Sequence, residues 1–309
     1  MKITGTFLDE ISHDIPHQNW GRKEWDQDFA AMKAIGIDTV ILIRCGWKRF
    51  LTYPSEYLMK ELNCFRPPVD LVDLFLDLAE KYNMRFFFGL YDSHHFWQNK
   101  EYDKEKETNL FVAEEVWKRY GHRKAFSGWY INQEISRAST GMIHVYRDIG
   151  RHVKALSGNL ECMISPYIEG VKAVNAFGND SRNTGALGVA AHEKEWDEIL
   201  SGIQGAVDTI AFQDGHVDFD ELSDFLAVNK ALADKYGMNS WTNCESFDRD
   251  MPIRFLPIKW EKLLLKLEAA RKVGMDKAIT FEFSHFMSPN SSYRSANGLY
   301  ERYREHFNI

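Results

Sequence analysis

The stretch AFSGWYINQE (125–134) carries two patterns in succession. AFSGWYI is hydrophobic on both of its alternating faces, as a parallel strand covered by helices must be. NQE follows, two amides and a carboxylate, so polar groups are delivered to whatever lies beyond the strand end. Seven further runs share the strand character: ITGTFL (3–8), DTVILI (38–43), RFFFGL (85–90), LECMIS (160–165), DTIAFQ (208–213), SWTN (240–243) and AITFEF (278–283). Between them lie amphipathic patterns with apolar spacing of three and four, at roughly 24–36, 69–82, 104–120, 137–156, 190–204, 218–236, 256–273 and 293–306.

Eight strands in strict alternation with eight helices predict a (β/α)8 TIM barrel, a single domain over residues 1–309. An open doubly wound sheet would carry a Gly-rich phosphate loop, and neither GxGxxG nor GxxxxGK[ST] occurs. Three connections are long, at about 9–21, 44–67 and 166–189. All follow strand C-termini, the end at which barrels build their sites, and the Gly/Asn-rich 166–189 suits a substrate loop.

With 309 residues, 44% hydrophobic and 27% charged, the chain has ample material for a large core. A net charge of −7 argues against nucleic acid or an anionic membrane surface as partner. The four cysteines, Cys45, Cys64, Cys162 and Cys244, show no CxxC spacing and read as reduced core residues. The N-terminus lacks an apolar signal region, so the reading is cytoplasmic as given, or periplasmic or secreted if a leader has been trimmed.

Strand tips converge on one pocket in a barrel. Here they carry Trp47 after strand two, Tyr91, Asp92 and His94 after strand three, and Asn132 and Glu134 after strand four. Tyr167 follows strand five; Gln213, Asp214 and His216 follow strand six. Strand seven contributes Trp241, Asn243 and Glu245, and strand eight Glu282. Amides, carboxylates and aromatic faces suit a neutral polyol, with Trp47 or Trp241 expected as the pocket wall. Any one such residue is equally well a helix cap; the concentration over eight tips is the signal. Period-two alternation turns Tyr130, Asn132 and Glu134 to one side, and likewise Trp241, Asn243 and Glu245. Strands four and seven therefore each present an Asn two residues before a Glu, across the barrel mouth. Two opposed carboxyl groups are the minimum machinery of glycoside hydrolysis, one as acid and the other as nucleophile or base.

At this level the sequence resembles known proteins. An acid/base on strand four with a nucleophile on strand seven is the arrangement of the clan A glycoside hydrolases. Over nearly its whole length the chain is similar to a bacterial family of hydrolase-like barrels, domain of unknown function 4434. The resemblance is carried by ITGTFLDE (3–10), the tryptophan-led stretch ending MKAIGIDTVIL (25–42), GWYINQEIS (128–136), ISPY (164–167), DTIAFQDGHV (208–217), TNCESF (242–247) and FEFSHFMSP (281–289). It implies a barrel fold and hydrolase kinship. Clan A enzymes usually place Asn directly before the strand-four Glu, whereas here Gln133 intervenes, and it becomes a candidate for contacting a substrate hydroxyl.

The expected function is a glycosidase acting on a carbohydrate through Glu134 as acid and Glu245 as nucleophile, with no cofactor and no metal. Two alternatives stand beside it. One is a metal-dependent sugar isomerase or epimerase using Glu134, Asp214, His216, Glu245 and Glu282, although no HxH or HExxH spacing demands it. The other is a sugar-binding barrel without turnover.

Overall fold

The computed structural model of the chain describes residues 1–172, 185–249 and 255–309. Its centre is a closed, all-parallel, eight-stranded barrel. The strands are β1 (Ile3–Leu8), β2 (Thr39–Leu42), β3 (Arg85–Gly89), β4 (Phe126–Ile131), β5 (Glu161–Ile164), β6 (Thr209–Gln213), β7 (Asn239–Asn243) and β8 (Lys277–Thr280). Each pairs with its neighbour in sequence, and β1 pairs with both β2 and β8, which closes the ring. The outer layer is α1 (Arg22–Ala34), α2 (Leu71–Tyr82), α3 (Tyr102–Tyr120), α4 (Ile143–Leu156), α5 (Val189–Ile203), α6 (Phe219–Tyr236), α7 (Trp260–Val273) and α8 (Arg294–Phe307). The fold is a (β/α)8 barrel.

Alternation along the strands separates two cores. Phe7, Ile41, Phe87, Tyr130, Met163, Ala211, Trp241 and Ile279, one from each strand, fill the barrel interior. Their neighbours, such as Phe86, Phe88, Trp129, Ile131 and Phe212, face the helices in the larger core. RFFFG is the clearest case: three adjacent phenylalanines serve both cores because successive side chains point to opposite faces. The ends of the chain are stitched together where the buried Ile3 N–H donates to the Tyr303 hydroxyl at 2.7 Å.

Departures from the expected boundaries have local causes. β8 stops at Thr280 rather than 283, because Glu282 caps a short helix, Phe283–Phe286, accepting from Ser284 N at 2.7 Å and His285 N at 2.8 Å. α4 starts at Ile143 rather than 137, after a 3-10 turn at Ala138–Thr140 that ends on Gly141 with φ 78°. The 44–67 connection is ordered: Gly46–Trp47 pairs with Phe50–Leu51 and with Tyr91–Asp92, making a small sheet from two loops. The loop after β7 is also long, with Phe247–Asp248 pairing Leu256–Pro257. Of the expected 166–189 loop, residues 173–184 lie outside the described residues. Among the described residues no helix is long and apolar enough to cross a membrane.

Replacing Tyr303 by Phe leaves the Ile3 N–H buried without an acceptor, and both groups are fully buried. A loss of about 1–3 kcal/mol is expected, read as a lower urea midpoint at unchanged m-value.

Candidate active site

The tips of β4, β6 and β7 meet at the C-terminal mouth of the barrel around a cavity of about 100 Å³. Its polar wall is Ser12, Asp14, Arg44, Glu134, Gln213, Asn243, Glu245 and Arg249, and its apolar wall includes Phe7, Ile43, Phe247 and Phe281. Glu134 reaches it by the alternation that began in β4. Tyr130 belongs to the interior layer and Ile131 to the helix side. Gln133 is buried, its amide donating to the Tyr91 carbonyl at 3.0 Å and to Glu105 Oε1 at 2.9 Å. The extra Gln is thus occupied in fixing the loop after β3, which differs from the hydroxyl contact expected of it. Asn132, between Tyr130 and Glu134, is buried with neither amide atom bonded, and the Tyr130 hydroxyl is likewise without a partner.

Glu245 is held from all sides. Its backbone N–H donates to Asp214 Oδ1 at 3.1 Å, and its carbonyl accepts from Lys266 Nζ at 3.0 Å. Lys266 also donates to Asp214 Oδ1 at 2.7 Å, so one buried ion pair clamps both backbone groups of the glutamate. Arg249 grips the carboxylate bidentately, Nε to Oε2 at 2.7 Å and Nη2 to Oε1 at 2.6 Å. Gly215 makes room: a Cβ there would sit 1.7 Å from Glu245 Oε2 and 2.2 Å from Arg249 Nε.

These surroundings drive the two glutamates apart. Burial raises the Glu134 pKa to about 7, against the opposing field of Arg44 and a Gln213 hydrogen bond, with the negative Glu245 adding to the rise. Burial works the same way on Glu245, but Arg249, through charge and hydrogen bonds, and Lys266 outweigh it, and its pKa falls below the ordinary carboxylate value. His216, 3.2 Å from Arg249 Nη1, is lowered to about 4 by burial and by that guanidinium.

The other expected residues take varied places. Gln213 and Asn243 line the cavity; Asn243 Nδ2 donates to Ser165 Oγ at 3.2 Å, and its Oδ1 is free. Asp214 stands behind Glu245 in the ion pair with Lys266, rather than in the cavity wall. His216 and Tyr167 pack edge to face, with centroids 5.6 Å apart, beside Arg249. Asp92 pairs with Arg44 at 3.3 Å, and through it reaches the cavity. Trp47 is buried: His13 stacks on it at 4.9 Å, His94 tilts against it at 4.6 Å and Arg44 lies 5.1 Å from its ring. Tyr91 and His94 line a different cavity on the outer side of the small sheet. Trp241, expected as a pocket wall, sits lower, against Phe87 in the barrel interior and under the Lys277 ammonium at 5.0 Å. Glu282, expected to bind substrate, is fully buried as a helix cap and partner of the His285 imidazole. Among the described residues no three His, Cys, Asp or Glu side chains converge as a metal site; of the five named for that alternative, Glu134 and Glu245 share the cavity, Asp214 and His216 contact Glu245 and Arg249 respectively, and Glu282 is a helix cap.

Arg249 and Lys266 were absent from the expected site. Lys266 had a readable signal, a lone cation inside the apolar run LLLKL of α7. Arg249 stands four residues beyond Glu245, a spacing with no meaning in the sequence until the loop after β7 folds back on the strand tip.

No protein of curated function matches the sequence. A crystal structure from Bacteroides thetaiotaomicron, of a protein described provisionally as an α-L-fucosidase, is 61% identical, with a TM-score of 0.95 over 100% of this chain and 94% of that one. The endo-1,4-β-mannanase of Rhizomucor miehei is 12% identical, with a TM-score of 0.59 over 97% and 95% of the two chains. The intracellular xylanase of Thermoanaerobacterium saccharolyticum is 12% identical, at 0.51 over 90% and 84%. These last two share the barrel architecture of glycoside hydrolases. The profile of the domain of unknown function DUF4434 matches residues 3–293, and the chain belongs to that family.

Proposed function

We propose that this protein is a glycoside hydrolase in which Glu134 donates the proton and Glu245 is the nucleophile or base. The observation that carries this reading is the pair of carboxyl groups lining one cavity with pKa values moved in opposite directions. Such divergence sorts acid from base within a single site. Glu134, with a pKa near 7, holds a proton for the glycosidic oxygen in neutral solution; Glu245 stays ionised for attack on the anomeric carbon or on a water. Arg249 occupies two of the roughly four lone-pair directions of the Glu245 carboxylate and leaves the rest for the sugar. Asn243 lines the cavity with its Oδ1 unbonded, a ready partner for a ring hydroxyl.

The 61% identical protein is described as an α-L-fucosidase, which makes an α-L-fucoside the first glycone to assay. The apolar wall of Phe7, Ile43 and Phe281 fits a methyl group where other hexoses carry a hydroxymethyl.

Glu134→Gln and Glu245→Gln keep shape while removing proton transfer or nucleophilicity. Each is expected to lower kcat at least 10²–10⁴-fold with binding retained, measured on an aryl glycoside. Near-normal turnover in both variants would refute the carboxylate pair.

The pH profile follows from the signs. Glu134 must be protonated, so kcat/KM is expected to fall as pH rises through about 7. Glu245 must be ionised, and its lowered pKa keeps the acid limb below the ordinary glutamate range. A profile of the Glu134→Gln variant that keeps the basic limb would assign that limb to another group.

Gly215→Ala drives a methyl into the Glu245–Arg249 pair. A displacement of the order of 1 Å is expected to cost about 10²-fold in kcat, with KM moving less. Wild-type turnover in a correctly folded Gly215→Ala would show that the position of Glu245 is immaterial.

A further inference from the structure

Tyr91 and His94 line a second cavity, about 390 Å³, on the outer side of the small sheet formed by the loops after β2 and β3. It lies next to the candidate active site. Its His94 packs against Trp47, whose ring lies 5.1 Å from the guanidinium of Arg44, itself part of the active-site wall.

The chemistry of this cavity is unlike that of the chain around it. The protein carries 45 acidic against 38 basic residues, yet no carboxylate lines the space, while Lys48 and Arg49 do. Two carboxylates that touch its lining are already committed: Asp92 pairs with Arg44 and accepts from the His94 N–H at 2.7 Å, and Glu105 accepts from Ser93 and Gln133. Arg49 is fixed, its Nε donating to the Asn63 carbonyl at 2.7 Å and its guanidinium 4.1 Å from the Phe65 ring. Phe65 in turn packs on Phe50, and both remain open to solvent, 47% and 62% exposed. Lys48 is tied to the opposite loop by its N–H to the Asp92 carbonyl at 3.1 Å and by its carbonyl to the Tyr91 hydroxyl at 2.5 Å.

His94 is the centre of a γ-turn, with φ 60°, ψ −45° and His95 N donating to the Ser93 carbonyl at 2.6 Å. That conformation is rare and strained for a residue with a side chain, and such strain clusters at ligand sites. Burial and the neighbouring Lys48 hold the His94 pKa below its ordinary value, so the cavity's positive charge comes from Lys48 and Arg49.

We infer that this cavity is a subsite for an anionic sugar residue, one bearing a sulfate ester or a carboxylate. The cations meet the acidic group, and the aromatic rings cover the C–H face of the ring. As the distal part of a hydrolase substrate, the subsite rests on the function proposed above; as a binding site, it does not.

The test measures binding rather than turnover. Galactose, galacturonic acid and galactose 6-sulfate share one ring stereochemistry and differ in charge; inorganic sulfate is the fourth probe. Calorimetry on the whole protein, with the His94 and His95 ring resonances followed by NMR, is expected to show at least tenfold tighter binding of an anionic sugar than of galactose. The preference should weaken with salt, and the preferred arm tells a sulfate from a carboxylate site. Lys48→Gln with Arg49→Gln should abolish the preference and leave turnover of neutral aryl glycosides intact. Equal binding of the three sugars, a preference that survives the double variant, or inorganic sulfate binding as tightly as the sugars would each overturn the inference. An anion preference in a protein that hydrolyses nothing would retire the hydrolase reading and leave this subsite standing.

Discussion

A carboxylate buried at the mouth of a barrel is costly unless the surrounding protein replaces the water it has lost. Glu245 is such a group, and much of the local architecture answers that cost. Arg249 supplies two charge-assisted hydrogen bonds from a loop that has to fold back over the strand tip. Lys266 reaches in from α7 and, with Asp214, fixes the glutamate backbone at both its N–H and its carbonyl. Gly215 has no side chain because the carboxylate occupies the space where one would lie. One ionised group thus constrains two loops and a helix.

The consequence reaches across the cavity. Because Glu245 is kept ionised, its charge adds to the desolvation of Glu134, and the two groups separate in proton affinity. The same region leaves polar atoms unbonded, on Asn132, Asn243 and Tyr130, at positions where burial makes that expensive. Structural ion pairs elsewhere satisfy their members more fully: Glu282 accepts from Ser284, from His285 and from the imidazole.

The barrel was legible in residues such as Phe86, Phe87 and Phe88, and the strand tips in Asn132, Glu134, Asn243 and Glu245. Less legible were roles that depend on a second strand or helix. Trp241 and Asn243 share a face, yet two residues of rise place one in the interior core and the other at the cavity. Glu282 has the composition of a site residue and the geometry of a helix cap. Gln133 looked like a ligand contact because it flanks Glu134, but alternation turns it outward to Glu105.

What the sequence by itself determined is what short-range periodicity encodes: eight strands, eight helices, the closed parallel sheet they imply, and the end of that sheet where polar groups gather. Period-two alternation is a local property, so it could be read residue by residue. Which of those polar groups share a cavity, which are tied up in ion pairs, and which glutamate keeps its proton were decided by tertiary structure alone. Those outcomes depend on desolvation and on charges brought from distant positions: Arg44 beside Glu134, Lys266 behind Glu245, and Lys48 within reach of His94. Electrostatic energies of that kind are set by separations of a few ångströms in space, and no spacing along the chain records them.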